Sequence, residues 1–140
     1  MVEPETSVRW FRFALGDLAA AKTILADDRL PSRDAAYLAQ QAAEKALKAT
    51  IALDGREPPW THDLVFLRLR APAVVRTATA NIDLRPLWAA ASASRYPDGD
   101  DPAFDLGEIT ALVADAAAIV SIVGRYLDDA GLDASSLGFL

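Results

Sequence analysis

Five side chains in the middle of the chain are the best candidates for binding chemistry. Lys45 and Lys48 lie three residues apart, so a helix places both on one face, where two ammonium groups can bind a phosphate. His62 is the single histidine and stands near the expected start of a helix, where free N–H groups favour anions. Arg95 and Tyr96 can bind a phosphate and stack on a base. These five residues are the predicted nucleotide-binding residues.

Each of these residues also has a structural alternative that the sequence leaves open. Lys48 can pair with Glu44, four residues earlier, on a solvated helix face. His62 can fix its loop through hydrogen bonds together with Asp63. Arg95 can pair with the acids that follow it, and Tyr96 can pack before a proline.

Several kinds of site are excluded or disfavoured by composition. The absence of cysteine excludes disulfides, cysteine-bound zinc and thiol catalysis, and one histidine cannot form a multi-histidine metal site within one subunit. The seven glycines are scattered, so no glycine-rich phosphate loop exists. One acidic loop lacks the residue order of a calcium-binding EF-hand; its acids are Asp98, Asp100, Asp101 and Asp105. We therefore expect no metal, no cofactor and no catalytic residue.

Length and composition are typical of one compact domain over residues 1–140. The chain has 140 residues, of which 52% are hydrophobic and 24% charged. Its first residues are acidic, and no uninterrupted apolar run approaches the roughly 20 residues of a membrane span, so we expect a soluble cytoplasmic protein. The net charge of −6 is uneven, with +2 in residues 1–97 and −8 in residues 98–140.

Apolar residues at helical spacing predict an all-α fold, an up-and-down bundle of four to five helices. The predicted helices cover residues 7–26, 32–53, about 61–71, 84–94 and 104–130, followed by a short apolar tail at 131–140. Ser32 and Thr61 are the predicted caps of the second and third helices. The last helix should bury Leu106 with the apolar residues that follow it, and four aromatic residues are expected in the core or at a dimer contact: Trp10, Phe11, Phe13 and Trp88.

The second helix carries its polar residues in one arc of about 140°. That arc comprises Tyr37, Gln40, Gln41, Glu44, Lys45 and Lys48. The rest of the circumference is alanine, leucine and isoleucine, which indicates cover on two sides, one being the core and the other further core or a subunit interface. We therefore expect a homodimer.

The segment 35–49, AAYLAQQAAEKALKA, resembles the second helix of the HEPN domain, named for nucleotide binding in higher eukaryotes and prokaryotes. Three further pieces agree in order and spacing with this family. They are Trp10, Ala14, Asp17, Leu18 and Ala21 in the first helix; Thr61-His62-Asp63-Leu64; and Arg95-Tyr96-Pro97. The resemblance covers nearly the whole chain and implies a helical bundle that usually dimerises.

The resemblance also implies a range of functions. Many bacterial HEPN proteins pair with a minimal nucleotidyltransferase, some as toxin–antitoxin systems, and others bind nucleotides. A large branch cleaves RNA with an arginine followed, after four to six residues, by a histidine. Here Arg95 has Asp100, Asp101 and Pro102 where that histidine should stand. We therefore expect a non-catalytic dimer that binds a nucleotide, a minimal nucleotidyltransferase or both; the alternatives are a divergent ribonuclease toxin using Arg95 and a structural interaction module without ligand.

Overall fold

Six helices form the described part of the protein, which contains no strand. The computed structural model describes residues 4–95 and 105–132, without the side chains of 91–95. The helices are α1 (Pro4–Ala26), α2 (Ser32–Leu53), α3 (Leu64–Arg70), α4 (Ala73–Thr79), α5 (Leu84–Arg95) and α6 (Leu106–Asp129). The all-α prediction is confirmed, and one helix more than expected is present. The added helix is α4, which buries only Val75 and Thr79 and therefore shows little apolar periodicity.

The starts of α2 and α3 differ from the predicted caps, although the bounds of α2 are as predicted. Helix α2 has the predicted bounds, but Pro31 is its N-cap and no side chain caps it, so the predicted Ser32 cap is wrong. The predicted Thr61 cap of α3 is also wrong. Asp63 is the cap and accepts hydrogen bonds from the backbone N–H of Val65 and Phe66, while Thr61 Oγ1 accepts from the N–H of Asp63.

Helix α2 is the central helix of the bundle. It packs against α1, α6, α5 and α3, and every one of its eight alanines is buried. Small side chains allow neighbouring helices to approach closely on all sides. The wide apolar surface of α2 is therefore explained within one copy of the chain and no longer indicates a subunit interface; the homodimer remains a prediction.

Helix α6 is the one described helix long and apolar enough, by length and composition, to cross a membrane. In the bundle its inward face packs against α2, and its predicted core residues are buried: Ile109, Leu112, Val113, Ala116, Ile119, Val120 and Val123. Only 39% of its most apolar window is buried, so much of the helix faces outward. The burial predicted for Leu106 is wrong, because this first helical residue projects at the end of the bundle with 62% of its surface exposed.

The four aromatic residues expected in the core or at a dimer contact occupy different environments. Phe11 is fully buried and Trp10 is partly buried against the core. Phe13 and Trp88 are 58% and 41% exposed, so their assignment to the core of one copy is wrong. Tyr96, the acids Asp98, Asp100 and Asp101, and the apolar residues of the predicted tail beyond Leu132 lie outside the described residues.

Candidate functional site

A chain of buried polar side chains runs along α2 and converges on Glu44. Gln41 Nε2 donates to Gln40 Oε1 at 2.6 Å, and Gln40 Nε2 donates to Glu44 Oε1 at 3.2 Å. Lys48 Nζ binds the other oxygen, Glu44 Oε2, also at 3.2 Å. The spacing of four residues from Gln40 to Glu44 to Lys48 stacks these groups on one side of the helix. The predicted Glu44–Lys48 pair is present, but it is buried, so the prediction of a solvated face is wrong.

His62 joins this network from the loop before α3. Its Nδ1 lies 2.7 Å from Glu44 Oε1, and its backbone carbonyl accepts a hydrogen bond from Gln40 Nε2 at 3.3 Å. A carboxylate has no hydrogen to give, so Nδ1–H is the donor. The His62 side chain is 58% exposed although the Glu44 side chain is 4% exposed. Glu44 therefore holds one ring nitrogen, and the other has no hydrogen-bond partner among the described residues.

Lys45 and Lys48 are both bound to carboxylates and both lie beside aromatic rings of α1. Lys45 Nζ contacts Asp17 Oδ2 at 2.6 Å and lies 5.8 Å from the centre of the Phe13 ring. Lys48 Nζ lies 5.3 Å from the centre of the Trp10 ring. These distances permit cation–π attraction. The two lysines thus tie α2 to α1 instead of presenting free ammonium groups to solvent.

An open recess of about 220 Å³ lies on the outer side of α1. Its described lining consists of Thr6, Arg9, Trp10 and Phe13. The spacing of three, four and seven residues puts these side chains on one face of the helix. The recess therefore borders the two rings that lie near the lysines of α2.

The structure brings together three of the five predicted nucleotide-binding residues. Lys45, Lys48 and His62 all belong to the α1–α2–loop surface described above. Arg95 ends α5, and its side chain lies outside the described set, as does the whole of Tyr96. Within the described residues, no three histidine or acidic side chains converge as metal ligands would.

Sequence reasoning missed the roles of Glu44, Asp17 and the recess. Glu44 was noted only as one partner of Lys48, whereas it accepts hydrogen bonds from three side chains. The repeat of polar residues at positions 40, 44 and 48 is a signal that could have indicated a connected network. No comparable signal joins Asp17 to Lys45, because the two residues are 28 positions apart.

Shifted pKa values occur outside this surface. Burial, with the nearby charge of Asp83 as a second cause, raises the pKa of the Asp115 carboxyl on α6. The hydrogen bonds from Arg85 lower the pKa of Asp83 to about 2. Burial and then the charge of Asp54 raise the pKa of Tyr126. Asp54 is the C-cap of α2, and Tyr126 lies in the last turn of α6.

Comparison with known proteins agrees with the helical bundle and with the motifs on α2 and α3. The family model described as HEPN domain matches residues 7–126, which include α2, His62 and most of α1. No curated protein and no solved structure matches the chain. The match extends over most of the chain, and the protein therefore belongs to the HEPN-domain family.

Proposed function

We propose that this HEPN-domain protein acts without catalysis, in the cytoplasm and as a homodimer, by binding a partner protein, a minimal nucleotidyltransferase being the partner that its family implies. The observation that carries this proposal is the neutralisation of Lys45 and Lys48 by Asp17 and Glu44. The charges expected to attract phosphate are already matched inside the protein. Beside these ion pairs Phe13 remains 58% exposed, and exposed aromatic side chains are typical of protein interfaces.

Releasing Lys48 to a phosphate is energetically unfavourable. The side chains of Lys48 and Glu44 are 8% and 4% exposed, so separating them leaves a buried carboxylate without its cation. Breaking a buried ion pair by removing one partner destabilises a protein by about 3–5 kcal/mol. A nucleotide would have to offset that loss before it gained affinity from Lys48.

The first experiment is gentle purification of the protein from its own host, followed by mass spectrometry and light scattering. We expect a stoichiometric protein partner together with two copies of this chain. Recovery of a monomer with no protein partner at micromolar concentration contradicts the proposal.

Nucleotide binding is a second candidate, and the exposed ring of His62 favours it. Glu44 orients the imidazole through Nδ1, which leaves the other ring nitrogen available to a phosphate or a base. Calorimetry with ATP tests this function. Heat that is lost in a His62→Gln variant but retained in a Lys22→Gln control supports a nucleotide site, whereas no heat with the unmodified chain rejects it.

A further inference from the structure

The recess on α1 combines an exposed apolar surface with an open cavity. Phe13 is 58% exposed beside an opening of about 220 Å³, while Trp10 packs partly against the core. Concave surfaces lined by aromatic side chains are where proteins receive apolar groups. The volume suits one side chain of the size of leucine or phenylalanine.

The two rings beside the recess lie close to paired charges of α2. Lys48, bound to Glu44, lies against Trp10, and Lys45, bound to Asp17, lies close to Phe13. Each ion pair gives its ring a neighbour on α2, which limits the positions open to that ring. Such preorganisation favours binding because less side-chain freedom is lost on association.

The charged residues around the recess indicate the sign of the charge that a ligand should carry. Arg9 lines the recess, and Arg12 lies one helical turn further along α1; both are exposed. Neither forms an ion pair with a described carboxylate. Glu5 is the acidic residue in the first turn of α1, and Asp17, one turn beyond Phe13, is already paired with Lys45. Among the described residues, two arginines without an ion pair against one such acid favour a partner that carries carboxylates.

We infer that the α1 recess binds a segment of a partner polypeptide in which a leucine-sized or phenylalanine-sized side chain is flanked by acidic residues. The inference rests on the proposed function, since it names the chemistry of the segment that the partner would insert. A second copy of this chain is a poorer occupant, because a two-fold axis through the recess would place Arg9 and Arg12 against their own counterparts. A nucleoside triphosphate is also a poorer occupant, because Arg9 and Arg12 together match few of its phosphate charges, while Trp10 and Phe13 make much of the described lining apolar.

Fluorescence polarisation with three synthetic peptides tests this inference on the full chain. The first peptide has Leu-Phe between runs of Asp and Glu, the second has Ser-Ser between the same acidic runs, and the third has Leu-Phe between runs of Lys. We expect the first to bind at least about tenfold more tightly than either of the others, since both the anchor and the charge contribute. Equal affinity for all three peptides overturns the inference.

Variants of α1 test whether the first peptide binds at the recess. Arg9→Glu and Phe13→Ser should each weaken binding of the first peptide about tenfold. The matched control is Lys22→Glu, an exposed charge reversal on the same helix but on the side opposite the recess. Circular dichroism checks that each variant is folded. The inference is overturned when Lys22→Glu weakens binding as much as Arg9→Glu, or when ATP displaces the peptide from the unmodified chain.

The inference and the proposed function can fail separately. If a partner protein co-purifies and remains bound to both the Arg9→Glu and the Phe13→Ser variants, the partner-binding role stands and the recess is not its site. If the first peptide binds at the recess as expected but no partner protein co-purifies, the recess inference is supported and the proposed function is contradicted.

Discussion

Helices α2 and α6 differ in how polar they are and in how much of their surface is buried. Helix α2 contains a buried glutamate, a buried lysine and two buried glutamines, yet most of its residues are enclosed. Helix α6 is the more apolar of the two, yet only 39% of its most apolar window is buried. Position in the bundle therefore decides burial, because α2 has neighbours on all sides and α6 packs mainly by one face.

Helices α2 and α6 also differ in where their polar residues lie. On α2 four polar side chains are buried and connected: Gln40, Gln41, Glu44 and Lys48. Among the described residues no buried side-chain nitrogen or oxygen lacks a partner. On α6 the charged residues are exposed or half-buried, as Glu108, Asp115 and Arg125 show. Substitutions of the same kind should consequently have large effects on α2 and small effects on α6.

The largest expected effect is that of Glu44→Ala on α2. Removing this carboxylate leaves Lys48 buried without a partner and takes away the acceptor of Gln40 and His62. The free energy of unfolding should fall by about 3–5 kcal/mol, measured by urea denaturation. The exposed Arg125→Ala on α6 should change it by no more than about 0.5 kcal/mol.

A double variant shows whether the loss arises from the unpaired charge. Glu44→Leu combined with Lys48→Met leaves no buried ion and should lose much less stability than Glu44→Ala alone. Equal losses in the two proteins would contradict the view that an unpaired lysine causes the effect.

The second largest effect is expected from enlarging an alanine. Ala43 on α2 has no exposed surface, so Ala43→Leu forces neighbouring helices apart and should lower the free energy of unfolding by about 1–3 kcal/mol. Ala114→Leu on the exposed side of α6 should change it by less than about 0.5 kcal/mol. Thermal unfolding followed by circular dichroism compares the two. A larger loss for Ala114→Leu would show that this side of α6 is covered in solution.

At the helix caps we expect the opposite order, with the larger loss of stability on α6 and the smaller one on α2. The carboxylate of Asp105 accepts a hydrogen bond from the backbone N–H of Glu108 at the start of α6, so Asp105→Ala should lower the free energy of unfolding by about 1 kcal/mol. Ser32→Ala at the start of α2 removes no capping hydrogen bond and should change little. Chemical denaturation of both variants tests this expectation; an equal loss in Ser32→Ala would contradict the uncapped start of α2.

The smallest effect is expected at Asp115 of α6. Burial raises its pKa in the folded protein above the ordinary 3.8, so the protonated carboxyl stabilises the fold below pH 3.8 and this contribution is lost as the pH rises through the raised value. Asp115→Asn should therefore increase stability slightly at pH 7, and the gain should shrink in acid. Melting temperatures measured from pH 7 downward check the sign. A loss of stability at pH 7 would contradict it.

Local patterns in the sequence were sufficient for most of the fold. The bounds of α2 follow from Pro31 before it and Gly55 after it, where the backbone adopts a φ of +80° that glycine tolerates. The buried face of α6 follows from its apolar spacing. Helix α4 and the Asp63 cap escaped prediction because a short helix with two buried residues leaves little periodicity and because Thr61 and Asp63 are both good caps.

The candidate site was predictable only in part. The family motif and the residues Lys45, Lys48 and His62 can be read from the chain, since they lie within short segments of recognisable spacing. Their partners could not be assigned, because Asp17, Trp10 and Phe13 lie on another helix and meet α2 only after the two helices pack.

The amino-acid sequence by itself determined that this protein is a helical HEPN-domain protein, because helix-forming periodicity and the motif of α2 are local properties of the chain. Tertiary structure alone decided that most of the polar arc of α2 is buried and that its two lysines are paired with carboxylates. Whether a charged side chain faces water depends on which helices cover it, and that is a property of the packed bundle and not of any one segment.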